Sequence, residues 1–208
     1  RYRKFIHHAR ESGRASLLQS LSQQVENLYT NNFLSHLNVR WQRFVDACQQ
    51  WEAPPVVSQA SFFERFVQPY LERKGKVCVL ISDAFRYEVG EELQSLIRRE
   101  DRFDAELVPA LSCLPSYTQL GMASLLPHKT LQIVEDDSGE VMADGISATG
   151  TANRARILAQ TVASSTAVLA KDVLAMGKED SRALVRDNDV VYVYHYLIDK
   201  TGYTRDIE

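Results

Sequence analysis

Apolar residues in the first part of the chain recur every three or four positions. Leu17, Leu18, Leu21, Val25 and Leu28 are separated by Gln, Ser and Glu, and Phe33, Leu34, Leu37, Trp41, Phe44 and Val45 resume the pattern after Asn31-Asn32. That is the period of a helix with one apolar face, so residues 1–51 are predicted helical. Pro54-Pro55 ends the run, because consecutive prolines cannot continue a helix. A third helix, opened by Ser58 or Ser61, carries Phe62, Phe63, Phe66, Val67, Tyr70 and Leu71 and closes at Lys74-Gly75.

From Lys76 onward short apolar runs alternate with helical patterns. Val77–Ile81 is an unbroken apolar run ended by Ser82 and Asp83, which predicts a strand buried on both faces. A helix follows through Tyr87, Val89, Leu93, Leu96 and Ile97, closed by the cations Arg98-Arg99. Phe103–Val108 is predicted as a second strand. Thr130–Val134 and Glu140–Ala143 flank the turn Asp136-Asp137-Ser138-Gly139 as a hairpin. Helices are predicted over 151–163, 167–175 and 178–186, and Val190–Tyr194 is another buried strand. This alternation predicts an α/β fold: a doubly wound, mostly parallel sheet with helices on both faces, preceded by an α-helical segment. The boundary is placed between an α-helical part, 1–75, and a sheet-forming part, 76–208. No glycine-rich phosphate loop follows either strong strand, so nucleotide binding by that device is not supported.

Composition narrows the class. With 208 residues, 45% hydrophobic and 25% charged, the chain is long enough for one α/β domain and an appendage. It has no apolar run of membrane-spanning length and no apolar core of signal-peptide length near its start, so a cytoplasmic protein is expected. Cys48, Cys78 and Cys113 are odd in number and widely spaced, which predicts free thiols, with Cys78 and Cys113 buried. The chain begins without Met and stops shortly after a strand, so a fragment of a longer protein is expected. Lys and Arg outnumber Asp and Glu 10 to 6 over residues 1–75, and the reverse holds at 14 to 21 over 76–208. A basic part beside an acidic one is compatible with docking to a partner or to nucleic acid; a solvated helical surface is the plainer reading.

Three polar positions share one logic, since open α/β sheets bind ligands beyond the carboxyl ends of their strands. Asp83 follows the first strong strand and Asp199 the last. Thr118 stands at a helix start marked by Ser116-x-x-Gln119, which has the form of a capping box. A hydroxyl at a helix start, near carboxylate-bound divalent metal, can be ionised to attack phosphorus. Each residue also reads as structure alone: strand-ending punctuation for the acids, a helix start for Thr118.

Three blocks choose between these readings: LISDAFRYEVGEEL at 80–93, LPSYTQLGMASLLPH at 114–128 and VVYVYHYLIDKTG at 190–202. In order and spacing, residues 76–204 resemble the PglZ domain of BREX phage-exclusion systems, type A, a branch of the alkaline-phosphatase-like superfamily. The helices before residue 76 resemble, less specifically, the linker that precedes it. The resemblance implies a metal-dependent phosphatase or phosphodiesterase acting in anti-phage defence, with other BREX proteins as partners. It makes Asp83 and Asp199 ligands of a two-metal site, usually zinc, and Thr118 the nucleophile. Arg86 becomes a phosphate contact or an ion-pair partner, and His195 a ligand or a hydrogen-bonding residue beneath the site; His128, after Pro127, is expected to be a surface residue. Two departures stand out. The family places His or Asp four residues after Asp199, where this chain has Tyr203, and its later Asp-His motif falls beyond Glu208. They leave a catalytically impaired scaffold subunit as the alternative.

Overall fold

The computed structural model describes residues 2–11 and 15–204. It comprises two compact units, Arg1–Trp51 and Glu52–Glu208. The first is helical as the periodicity predicts: α1 (Tyr2–Glu11), α2 (Ala15–Asn27) and α3 (Ser35–Ala47). A wider π-helical turn, Leu28–Leu34, carries α2 into α3, and Ser35 Oγ donates to Thr30 O at 2.9 Å inside it.

The second unit begins with β1 (Val57–Ser58), a 3₁₀ turn at Gln59–Ser61, a π-helical turn at Phe63–Val67 and α4 (Gln68–Glu72). Ser58 Oγ accepts from Ala60 N, the start signal read from the sequence. The exit is made by Lys74, with φ +56°, while the Gly75 N–H returns to Tyr70 O at 2.8 Å. Next come β2 (Val77–Ser82), α5 (Tyr87–Ile97), β3 (Ala110–Leu111), α6 (Thr118–Ser124), β4 (Leu131–Ile133), β5 (Val141–Ala143) and β6 (Ile146–Ser147). The unit closes with α7 (Thr151–Thr161), β7 (Ser165–Leu169), α8 (Ala170–Ala175), α9 (Lys178–Arg186), β8 (Val190–His195) and α10 (Leu197–Thr204).

The principal sheet is parallel, in the order β2-β8-β7. Its register sets Val79 beside Tyr192 and Ala167, and Ile81 beside Tyr194 and Leu169, so these side chains share one face. That face packs on Leu120, Met122 and Ala123 of α6, Ile157 and Leu158 of α7, and Phe63 and Val67, forming the hydrophobic core. The antiparallel meander β4-β5-β6 adds Val141 and Ala143, and β1 pairs in parallel with β3. The expected α/β class with a parallel sheet is the fold observed.

Four local expectations are corrected. Strand β2 is not buried on both faces: Val79 and Ile81 are each 8% exposed, whereas Leu80 is 66% exposed and Cys78 is open to solvent with it. The cause is position, for β2 is the edge of the sheet while β8, buried along Val190–Tyr194, is its centre. Residues 103–108 form no strand; the Arg98 Nε–H and the Gln94 amide bond to Ala105 O and hold this segment against the end of α5. Residues 167–169 belong to β7, where Ala167, Val168 and Leu169 pair in parallel with Tyr192, Val193 and Tyr194 of β8. Cys113 is half-buried. The β5–β6 hairpin has its own local signal: Asp144-Gly145, with φ +48° and +80°, is the Asp-Gly turn that such a connection favours. No helix among the described residues is long and apolar enough to cross a membrane.

Candidate functional site

Because β2 and β8 are parallel and in register from Val77–Val190 to Ser82–His195, their carboxyl ends lie side by side. The Asp83 N–H donates to His195 O at 2.9 Å, extending the ladder by one bond. Ala84 then takes φ +60°, a left-handed conformation costly for a residue with a Cβ, and its N–H donates to Asp83 Oδ1 at 2.9 Å. Asp199 enters from the other strand, in the first turn of α10. Both acids are half-buried. Burial, then the negative charge of Asp199, push the Asp83 carboxyl above the usual carboxylate range; the Ala84 hydrogen bond and the Arg154 charge oppose them. Neither acid has an ion-pair partner among the described residues.

Arg154 was not among the residues anticipated here. It sits in α7 at 3% exposure, donates from Nε to Ala148 O at 2.8 Å and from Nη1 to the Tyr196 hydroxyl at 2.6 Å. Its guanidinium carbon lies 4.5 Å from the centroid of the Tyr194 ring, whose buried hydroxyl makes no well-formed hydrogen bond and has the Arg154 charge beside it. Arg154 thus meets the π face of Tyr194, and Tyr194 stacks on Tyr196 at 6.3 Å. The sequence held a signal: Arg154 is three and four residues before Ile157 and Leu158, a charge in register with the buried stripe of α7.

Thr118 is the first residue of α6 and is exposed. The capping box predicted for Ser116 does not form. Tyr117, with φ −141° and ψ 161°, occupies the cap position without a side-chain cap bond, so Ser116 falls one residue too early. Thr118 lines an open pocket of about 300 Å³ with Gln59, Cys113, Ser116, Tyr117 and Gly121, and neither Asp83 nor Asp199 is in its walls. The helix itself is firmly seated. Tyr192 donates from its hydroxyl to Leu125 O at 2.7 Å, and the Gln59 amide donates to Gly121 O at 3.2 Å.

The remaining candidates are dispersed. His195 turns to the sheet face opposite Tyr194, where its Nδ1 and Ser82 Oγ are 2.9 Å apart. Arg86 is exposed at the N-cap of α5, Tyr203 lies in α10, and half-buried His128 places Nδ1 2.7 Å from Leu126 O. The structure therefore brings Asp83 and Asp199 together. No hydrogen bond or ion pair among the described residues joins Thr118 or Arg86 to them.

Residues 62–208 match the family model of the BREX system PglZ alkaline phosphatase-like domain. The chain belongs to the PglZ family. The chain is 43% identical over 199 residues to the alkaline phosphatase-like protein BrxZ of Escherichia coli O9:H4 (strain HS), covering 93% of this chain and 23% of that protein. It is also 37% identical over 186 residues to the alkaline phosphatase-like protein PglZ of Bacillus cereus (strain H3081.97), covering 88% of this chain and 22% of that relative. The chain thus spans less than a quarter of the length of either relative. No solved structure matches it significantly.

Proposed function

We propose that this PglZ chain contributes one half of a metal-dependent phosphoric-ester hydrolase working in BREX phage defence with other BREX proteins. The reading is carried by the convergence of Asp83 and Asp199 from neighbouring parallel strand ends, with no ion-pair partner among the described residues. Two half-buried, mutually repelling carboxylates are hard oxygen donors, and a divalent cation is the partner that relieves their repulsion. They make a half-site: among the described residues no three His, Cys, Asp or Glu side chains form a group able to hold a metal ion. When bound, the cation lowers the pKa of a neighbouring hydroxyl and neutralises charge on phosphorus.

The chain's own residues then divide the work. Thr118 Oγ1 gives up its proton to solvent water and forms the O–P bond, while the ester P–O bond breaks and the departing oxygen takes a proton back from solvent. Water releases phosphate from Thr118 in a second displacement. Arg154 holds Tyr196, and through it the start of α10, so that Asp199 stays beside Asp83; the Lys200 N–H bonded to Tyr196 O at 2.9 Å is part of this tie. The test is hydrolysis of an aryl phosphate or bis-aryl phosphodiester by the full-length gene product with added zinc. Thr118→Ala and Asp83→Ala should each lower turnover by at least about 100-fold, and full turnover in either would refute the assignment.

One observation favours a second reading, a scaffold subunit without turnover. Tyr203 stands in α10 where the family places His or Asp. Full-length protein that binds no divalent metal yet assembles normally with its partners would select the scaffold.

A further inference from the structure

A helix of a folded domain turns its apolar side inward, yet α3 and the π-helical turn before it bury no residue. Along them Phe33, Leu37, Trp41 and Phe44 recur at intervals of four, four and three, which keeps them on one face. All four are 50–71% exposed. From Phe33 to Phe44 this ridge runs about 16 Å at the helical rise per residue. Its two edges differ. Leu34 and Val45, along one edge, are half-buried. His36, Arg40 and Arg43 each precede a ridge residue by one, so they line the other edge, and all three are exposed. None of the three has an ion-pair partner among the described residues. The one acid of α3, Asp46, accepts from the Gln42 amide at 2.7 Å instead.

The chemistry of the two edges selects the occupant. A helix lying in a membrane surface carries cations on both sides of its apolar face, and α3 carries Arg on one side only. Single-stranded nucleic acid stacks its bases on open aromatic faces. Here Phe33 already stacks on Tyr29 at 5.7 Å, and Trp41 meets Trp51 edge to face at 6.1 Å. A partner strand has no sheet edge to join, because the backbone of α3 is bonded within the helix. A second copy of α3 would bring another apolar ridge but no carboxylate for Arg40 and Arg43. A helix with an apolar stripe and acids along one side meets both demands. Its side chains interdigitate with the ridge, and its carboxylates pair with the two guanidinium groups.

We propose that the Phe33–Phe44 ridge of α3 is a docking surface for an acidic amphipathic helix of a partner protein, with carboxylates of that helix set against Arg40 and Arg43. The inference does not depend on the phosphoryl-transfer reading. The probe is a fluorescein-labelled helical peptide of Leu-and-Glu heptads, followed by anisotropy with the full-length gene product; a Leu-and-Lys peptide is its counterpart. The acidic peptide should bind and the basic one should not. Reversing both charges, Arg40→Glu with Arg43→Glu, should weaken the acidic peptide at least about tenfold and let the basic one bind. Phe44→Ser should weaken the acidic peptide as well, and circular dichroism checks that the variants keep the parent's helix content and melting temperature. No binding of the acidic peptide, or an affinity unchanged by the charge reversal, overturns the proposal. Binding of phosphatidylserine vesicles or of single-stranded oligothymidylate in its place assigns the face to a membrane or to nucleic acid and also overturns it. Binding to the 208-residue chain but not to the full-length protein assigns the ridge to the rest of the same polypeptide, with the same consequence. The Trp emission of the 208-residue chain reads that last case directly, because Trp41 and Trp51 are its two tryptophans and both belong to this face.

Discussion

Tyr192 and Tyr194 form a natural experiment on one strand. Both side chains point to the same face of β8, at 0% and 1% exposure, but the Tyr192 hydroxyl donates to Leu125 O at 2.7 Å while that of Tyr194 is buried and makes no well-formed hydrogen bond. Tyr192→Phe removes the donor and leaves the Leu125 carbonyl unpaired at the end of α6. A buried polar group stripped of its partner costs about 1–3 kcal/mol. For a chain of this size that is a fall in Tm of roughly 2–10 °C. Tyr194→Phe removes a hydroxyl that makes no well-formed hydrogen bond and is met only by the Arg154 guanidinium, so stability should change by less than about 1 kcal/mol. Urea unfolding at neutral pH, followed by circular dichroism, measures both variants against the parent. The m-value should stay constant while the midpoint falls most for Tyr192→Phe. Equal destabilisation by the two substitutions would refute the assignment of bonded and unbonded hydroxyls. It would also remove the argument that β8 anchors the helix bearing Thr118.

The same burial predicts an alkaline limit. Tyr192 and Tyr194 have hydroxyl pKa values pushed well above the usual tyrosine range, chiefly by burial. Above about pH 10 unfolded tyrosines ionise while these two stay neutral, so the unfolded state binds fewer protons and stability falls as pH rises. Ultraviolet titration should show at least these two tyrosines ionising only as the fold is lost. At the strand ends, Asp83→Asn should stabilise the metal-free chain by up to about 1 kcal/mol, because it removes a carboxylate repelled by Asp199. A divalent cation should then raise the Tm of the parent and not of the variant; calorimetry with and without added zinc checks both.

The helical first part, the strong strands β2 and β8 and the Asp136–Gly139 turn were legible because each has a local cause: a period of three to four, an uninterrupted apolar run, a cluster of turn formers. Asp83, Thr118 and Asp199 were legible as candidates because strand ends and helix starts are local features too. Their assembly was not. Only the pairing of β2 with β8 brings Asp83 beside Asp199, across more than a hundred residues of chain. Arg154 escaped notice because its value lies in what surrounds it, the Ala148 carbonyl and the Tyr194 and Tyr196 rings, and none of these is near it in the periodic pattern of α7.

Sequence by itself determined the α/β class, the family and the identity of the two strand-end acids, since all of these rest on patterns within short stretches. Tertiary structure alone decided which strand is central and which is edge. Apolarity says that a side chain prefers to leave water, and it cannot say whether a neighbouring element is there to cover it. Hence Leu80 and Val193 read alike in the chain, yet Val193 is buried at the middle of the sheet and Leu80 stands 66% exposed at its edge.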